Sequence, residues 1–111
     1  MLNDAPVHGM SHVIGDTSEP LNEETIPELL ARTVSSFPQR EAVVFSAQNI
    51  RWNWAEFAEQ VDRLAGGLLR LDVKKGDRVG IWSPNRVEWL LTQFATARIG
   101  AILVCINPAY R

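Results

Sequence analysis

A chain of 111 residues, 46% hydrophobic and 22% charged, has the composition of one small globular domain or of part of a larger one. Its formal net charge of −2 leaves no basic excess to neutralise phosphates, which argues against nucleic-acid binding. No apolar run approaches the roughly 20 residues of a membrane span, and the single cysteine, Cys105, excludes an internal disulfide framework and fits a reducing compartment.

Residues 1–20 read as a flexible polar leader. They lack the basic start and apolar core of a secretory signal. They contain no Lys or Arg and carry Asp4, Asp16 and Glu19, the opposite of an Arg-rich mitochondrial presequence. Cytosol is the expected location, with the mitochondrion as the alternative should a presequence precede this sequence.

Order is expected from Leu21, with residues 21–111 as one unit. Thr25 and Glu28 form a capping-box pattern, and Pro27 stands in the first turn, where its missing N–H costs nothing. Ile26, Leu29, Leu30 and Val34 recur at helical spacing and Pro38 bars continuation, which predicts a helix over Ile26 to Ser36. The apolar run Ala42–Phe45 predicts a strand over Glu41 to Ser46. A polar turn at Ala47–Asn49 and a return strand over Ile50 to Asn53 complete a β-hairpin.

Asn53, with Glu56 three residues on, caps a long helix whose apolar stripe is Trp54, Phe57, Val61, Leu64, Leu68 and Leu71. Gly66 and Gly67 would cost that helix about 1 kcal/mol each relative to Ala, so close approach of another backbone is the expected reason for them. The turn Lys74-Lys75-Gly76-Asp77 leads to a strand over Arg78 to Ser83, stopped by Pro84. Asn85, with Glu88 three residues on, is the expected cap of a third helix that buries Val87, Leu90, Leu91 and Phe94. Gly100 stands where a left-handed C-cap is expected. Ala101 to Ile106 reads as a strand covered on both faces, with Cys105 a small core residue.

Strand, helix, strand over 78–106 is a βαβ unit with parallel strands, which places the chain in the α/β class. A two-stranded parallel ribbon is not a stable object by itself, so the architecture reads as incomplete.

Direct chemistry is sparse. The seven glycines build neither GxGxxG nor a P-loop. The turn Ser83-Pro84-Asn85 precedes a helix N-terminus, where an anion could sit, but Pro84 removes a donor, and a plain cap is the simpler account. His8 and His12 have the spacing of a helical metal pair but lie in the leader beside Gly9, with no cluster to complete a site. Trp52, Trp54, Trp82 and Trp89 suit core packing or the covering of a neighbouring subdomain better than a stacking platform, since no positive groove accompanies them. The residues supply no catalytic, cofactor-binding or metal-binding set.

Four segments carry a resemblance. They are Trp52-Asn53-Trp54-Ala55-Glu56-Phe57; Gly67-Leu68-Leu69-Arg70-Leu71-Asp72-Val73-Lys74-Lys75-Gly76-Asp77-Arg78-Val79-Gly80; Pro84-Asn85-Arg86-Val87-Glu88-Trp89; and Gly100 to Arg111, GAILVCINPAYR. In this order and spacing they closely resemble the start of the large domain of acyl-CoA synthetases in the AMP-forming, adenylating superfamily. Asp72 stands where that pattern has Gly. The INPAYR ending points toward fatty- and medium-chain acyl-CoA synthetases. The resemblance implies a parent that joins a fatty carboxylate to CoA through an acyl-AMP, using ATP and Mg²⁺. It places the family's phosphate loop, nucleotide-binding set and catalytic Lys downstream of the matched region, so no site residue is carried over to this chain. The chain is then scaffold, whose partner is the rest of its own adenylating domain. Its exposed apolar surface is expected to favour self-association, poor solubility or partial order. The competing readings are a non-enzymatic interaction module and a piece of another adenylate-forming ligase, aryl-acid or luciferase-like.

Overall fold

The structure, a computed structural model, describes residues 9–110. Three helices and four strands follow one another as α1 (Ile26–Ser36), β1 (Glu41–Phe45), β2 (Ile50–Asn53), α2 (Trp54–Arg70), β3 (Arg78–Trp82), α3 (Val87–Ile99) and β4 (Ile102–Ile106).

Two of the three helix starts are built as their sequence predicts. At α1 the Glu28 N–H donates to Thr25 Oγ1 at 3.3 Å and the Thr25 N–H to the Glu28 carboxylate at 2.8 Å. At α2 Asn53 and Glu56 exchange the same two bonds, each at 2.8 Å. The third start differs. The backbone enters α3 one residue later than expected, so Arg86 occupies the N-cap position and makes no side-chain cap bond. Asn85 is therefore not the cap.

The hairpin pairs β1 with β2 antiparallel, Val44 opposite Arg51 and Phe45 opposite Ile50. Ser46 leaves the strand and opens a short 3-10 turn over Ser46–Gln48, closed by Asn49 at φ 53°. That left-handed residue lets the turn close without glycine.

β3 and β4 pair in parallel with Arg78 opposite Ile102 and Trp82 opposite Ile106. Their shared entry is tied by Gly76 N–H to the Gly100 carbonyl at 2.9 Å and Ile102 N–H to the Asp77 carbonyl at 2.7 Å. Gly100, at φ 74°, ends α3 in the left-handed conformation, and a Cβ there would stand 3.0 Å from Lys75 Cγ. The end of α2 uses the same device without a glycine. Val73 N–H reaches the Leu68 carbonyl at 3.1 Å and Asp72 N–H the Leu69 carbonyl at 3.0 Å, a Schellman pair with Asp72 at φ 63°.

The two sheets are separate, each two-stranded. The core lies among the helices and under the hairpin: Leu30, Val43, Phe57, Val61, Ala65, Val87, Leu91 and Ala95 form one buried cluster. Phe57 sets its edge against Phe94 of α3 at 5.4 Å between centroids and against Trp54 at 6.1 Å. Arg98 Nε and Asp62 Oδ1 close the α2–α3 contact at 2.6 Å.

Several expected burials differ. In α1 only Leu30 is fully buried, while Ile26 and Leu29 are exposed. Leu71 falls just past the end of α2 and points to solvent. No backbone approaches Gly66 or Gly67 among the described residues; a Cβ on either would meet only the Arg70 guanidinium, at 3.9 and 4.0 Å. β4 is covered on one face rather than two. Ile81 is buried and Val79 and Leu103 half-buried on the covered face, while Trp82, Ile102, Val104 and Ile106 are exposed together on the other.

Candidate functional site

In an open α/β sheet, ligands bind outside the carboxyl ends of the parallel strands. At that end of β3 and β4 lies an open groove of about 550 Å³, with Ser83, Pro84 and Asn85 on one wall, Cys105, Ile106, Asn107 and Pro108 on the other, and Trp89 between. The apolar run of β3 ends at Trp82 because Pro84 cannot continue it. β4 likewise gives out at Asn107-Pro108.

Two polar groups of the groove are already engaged. Ser83 Oγ donates to the Pro84 carbonyl at 2.9 Å, and Asn107 Oδ1 accepts the Ala109 N–H at 2.9 Å. Cys105 is exposed, not a core residue. It lies opposite Ile81 in the ladder, yet Ile81 is buried and Cys105 is not. Apart from this thiol and the Ser83 hydroxyl, the groove lining holds no acid, base or nucleophile.

The first turn of α3 explains why the turn before it does not fit the phosphates of ATP. The Val87 N–H, a donor that an anion would need, is taken by Gln48 Oε1 at 2.8 Å. Gln48 Nε2 donates in turn to the Glu88 carboxylate at 3.0 and 3.3 Å. Arg86 Nε adds a further contact at 3.3 Å. These partners, the Gln48 amide first, hold the Glu88 carboxyl down to about 2 from its usual 4.5. A fixed negative charge at a helix N-terminus suits the helix and repels an incoming phosphate. Pro84 contributes no N–H at all.

No group of three or more His, Cys, Asp or Glu side chains converges among the described residues. Of the histidine pair, His12 is exposed and His8 lies outside the described residues. Trp52, Trp54 and Trp89 are half-buried and only Trp82 is largely exposed, at 63%. No described helix is long and apolar enough to cross a membrane. Gln48 is the residue that sequence reasoning missed. It looks like a turn residue, and only the fold brings it to α3, 39 residues on.

Residues 30–111 match the family model for the AMP-binding enzyme. The chain belongs to this family. It is 48% identical to the mitochondrial medium-chain acyl-CoA ligase ACSF2 of Rattus norvegicus over 98% of its own length and 18% of that relative's. Among solved structures it resembles a Mycobacterium tuberculosis fatty acyl CoA synthetase with a TM-score of 0.75 and 30% identity, over 78% of this chain and 17% of that one. It also resembles the N-terminal subdomain of Klebsiella oxytoca NpsA, with a TM-score of 0.73 and 28% identity, over 79% of this chain and 23% of that one. The chain thus spans under a fifth of the curated relative, and its mixed α/β architecture is that of the N-terminal subdomain in adenylate-forming enzymes.

Proposed function

We propose that this chain is a scaffold segment of an ATP-dependent acyl-CoA ligase that activates a medium- or long-chain carboxylate and transfers it to CoA. The observation that carries the reading is the 48% identity, along nearly the whole chain, to a protein named as a medium-chain acyl-CoA ligase. The INPAYR ending supports the same substrate class. On this reading the parent ligase uses ATP, Mg²⁺ and CoA, in keeping with the family and with the ligase named among its relatives. Residues 21–111 serve as part of the adenylating domain and residues 1–20 as its leader. The relative's name supports a mitochondrial location over the cytosolic expectation.

The chain's role is geometric: β3 and β4 supply two parallel strands, and α3 covers one of their faces. The rest of the adenylating domain is the partner for the other face, where Trp82, Ile102, Val104 and Ile106 are exposed. Left uncovered, that apolar face drives self-association.

A chimera tests this. Residues 21–111 replace the matching segment of the rat medium-chain ligase, and thioester formation is assayed with medium-chain, long-chain and aryl acids. The expected result is a soluble chimera that keeps ligase activity and the rat enzyme's acid preference. A folded chimera without activity overturns the scaffold role.

A further inference from the structure

The hairpin and the βαβ unit belong to different sheets and share no strand pairing. Among the described residues, every hydrogen bond between the hairpin (41–53) and β3–α3–β4 (78–106) is made by one side chain, Gln48. Its amide supplies from a distance what Asn85 does not supply locally. The oxygen accepts the first N–H of α3 and the nitrogen donates to the Glu88 carboxylate. Thr25–Glu28 and Asn53–Glu56 each exchange the two capping bonds within four residues. Here the acceptor for the helix N–H and the donor to the glutamate lie about forty residues away in the chain.

The position of Gln48 is not left to chance. It is the last residue of the 3-10 turn, which is closed by Asn49 N–H on the Ser46 carbonyl at 3.0 Å, with Asn49 left-handed. The bond to Val87 is sheltered, since Val87 is buried and Gln48 half-buried.

We propose that Gln48 is a latch. Acting as a detached N-cap on α3, it makes the hairpin and the β3–α3 turn open and close as one unit, and so positions the wall of the groove at Ser83–Asn85. Movement of the 46–49 turn is thereby transmitted to residues 83–86, although the two lie in separate sheets. This conformational role stands on the contacts of this chain and does not depend on which acid the parent ligates.

Amide hydrogen exchange on the ligase chimera that carries residues 21–111, and on its Gln48→Ala variant, tests it. In the unsubstituted chimera the Val87 amide and the hairpin ladder amides are expected to exchange through a common opening. In Gln48→Ala, Val87 is expected to exchange roughly fivefold or more faster, as for loss of an N-cap, and to uncouple from the hairpin. An unchanged Val87 rate, or a Val87 amide already unprotected in the unsubstituted chimera, overturns the latch. Should Gln48→Ala fail to fold, Gln48→Glu serves. It keeps the acceptor for Val87 but loses the donor to Glu88 and brings a like charge, so the Glu88 carboxyl is expected to titrate higher than about 2. A Glu88 titration that does not move also overturns the proposal.

Discussion

Asp72 shows how a single backbone angle sets a residue preference. Its φ of 63° lies in the left-handed region, at the position of a Schellman turn where glycine costs nothing. This accounts for the departure from the family pattern: Asp is among the side chains that tolerate the conformation, at a cost. Its exposed contact with Lys74, 3.4 Å, returns little. Asp72→Gly is therefore expected to raise stability by about 0.5–1 kcal/mol, read from the midpoint of urea unfolding. Glu88 gives a second expectation at this scale. Its folded carboxyl is held near 2 against 4.5 in the unfolded chain, so the stabilisation is present above about pH 4.5 and is lost as pH falls toward 2. Val87 amide protection, corrected for intrinsic exchange, should be level from neutral pH down to that point and then decline. A decline already complete by pH 5 would contradict the Gln48–Glu88 pairing.

Elements whose signals are local were legible from the sequence. Thr25–Glu28 and Asn53–Glu56 announce α1 and α2 because each box is complete within four residues. Gly100 announces the end of α3 because the left-handed angle there favours glycine. The start of α3 was misread for the same reason: Asn85 and Glu88 have the spacing, but the helix begins one residue later and the cap comes from Gln48, a partner that only tertiary structure supplies. Leu71 continues the periodic pattern past the point where the helix stops. Periodicity marks a face, not an end. The α2–α3 pair is the energetic centre of the fold. Phe57 is 1% exposed and stands edge-on to both Trp54 and Phe94. Phe57→Ala, made in the ligase chimera, is expected to cost about 3–5 kcal/mol and to lower the thermal midpoint followed by circular dichroism.

At the scale of the whole molecule, the sequence pattern and the structure differ in an informative way. The run Ala101–Ile106 reads as a strand buried on both faces, and Cys105 as a core thiol. The structure covers one face with α3 and leaves Cys105, Ile102, Val104 and Ile106 exposed. The pattern is that of a strand with a layer on each face, and among the described residues nothing covers the second face and no backbone stands against Gly66 or Gly67. Of the candidate groove, the turn Ser83-Pro84-Asn85 was legible in the sequence, while the contact of Gln48 with α3 was not. The groove beyond β3 and β4 holds no acid–base pair, and the Val87 N–H that would face a phosphate is already taken by Gln48.

Reading the native transcript past the codon for Arg111 tests this most directly. The scaffold account predicts an open frame that continues into a Ser/Thr/Gly-rich loop containing a lysine. A stop codon at that point would leave the family membership intact and contradict the assignment of the chain to a working ligase.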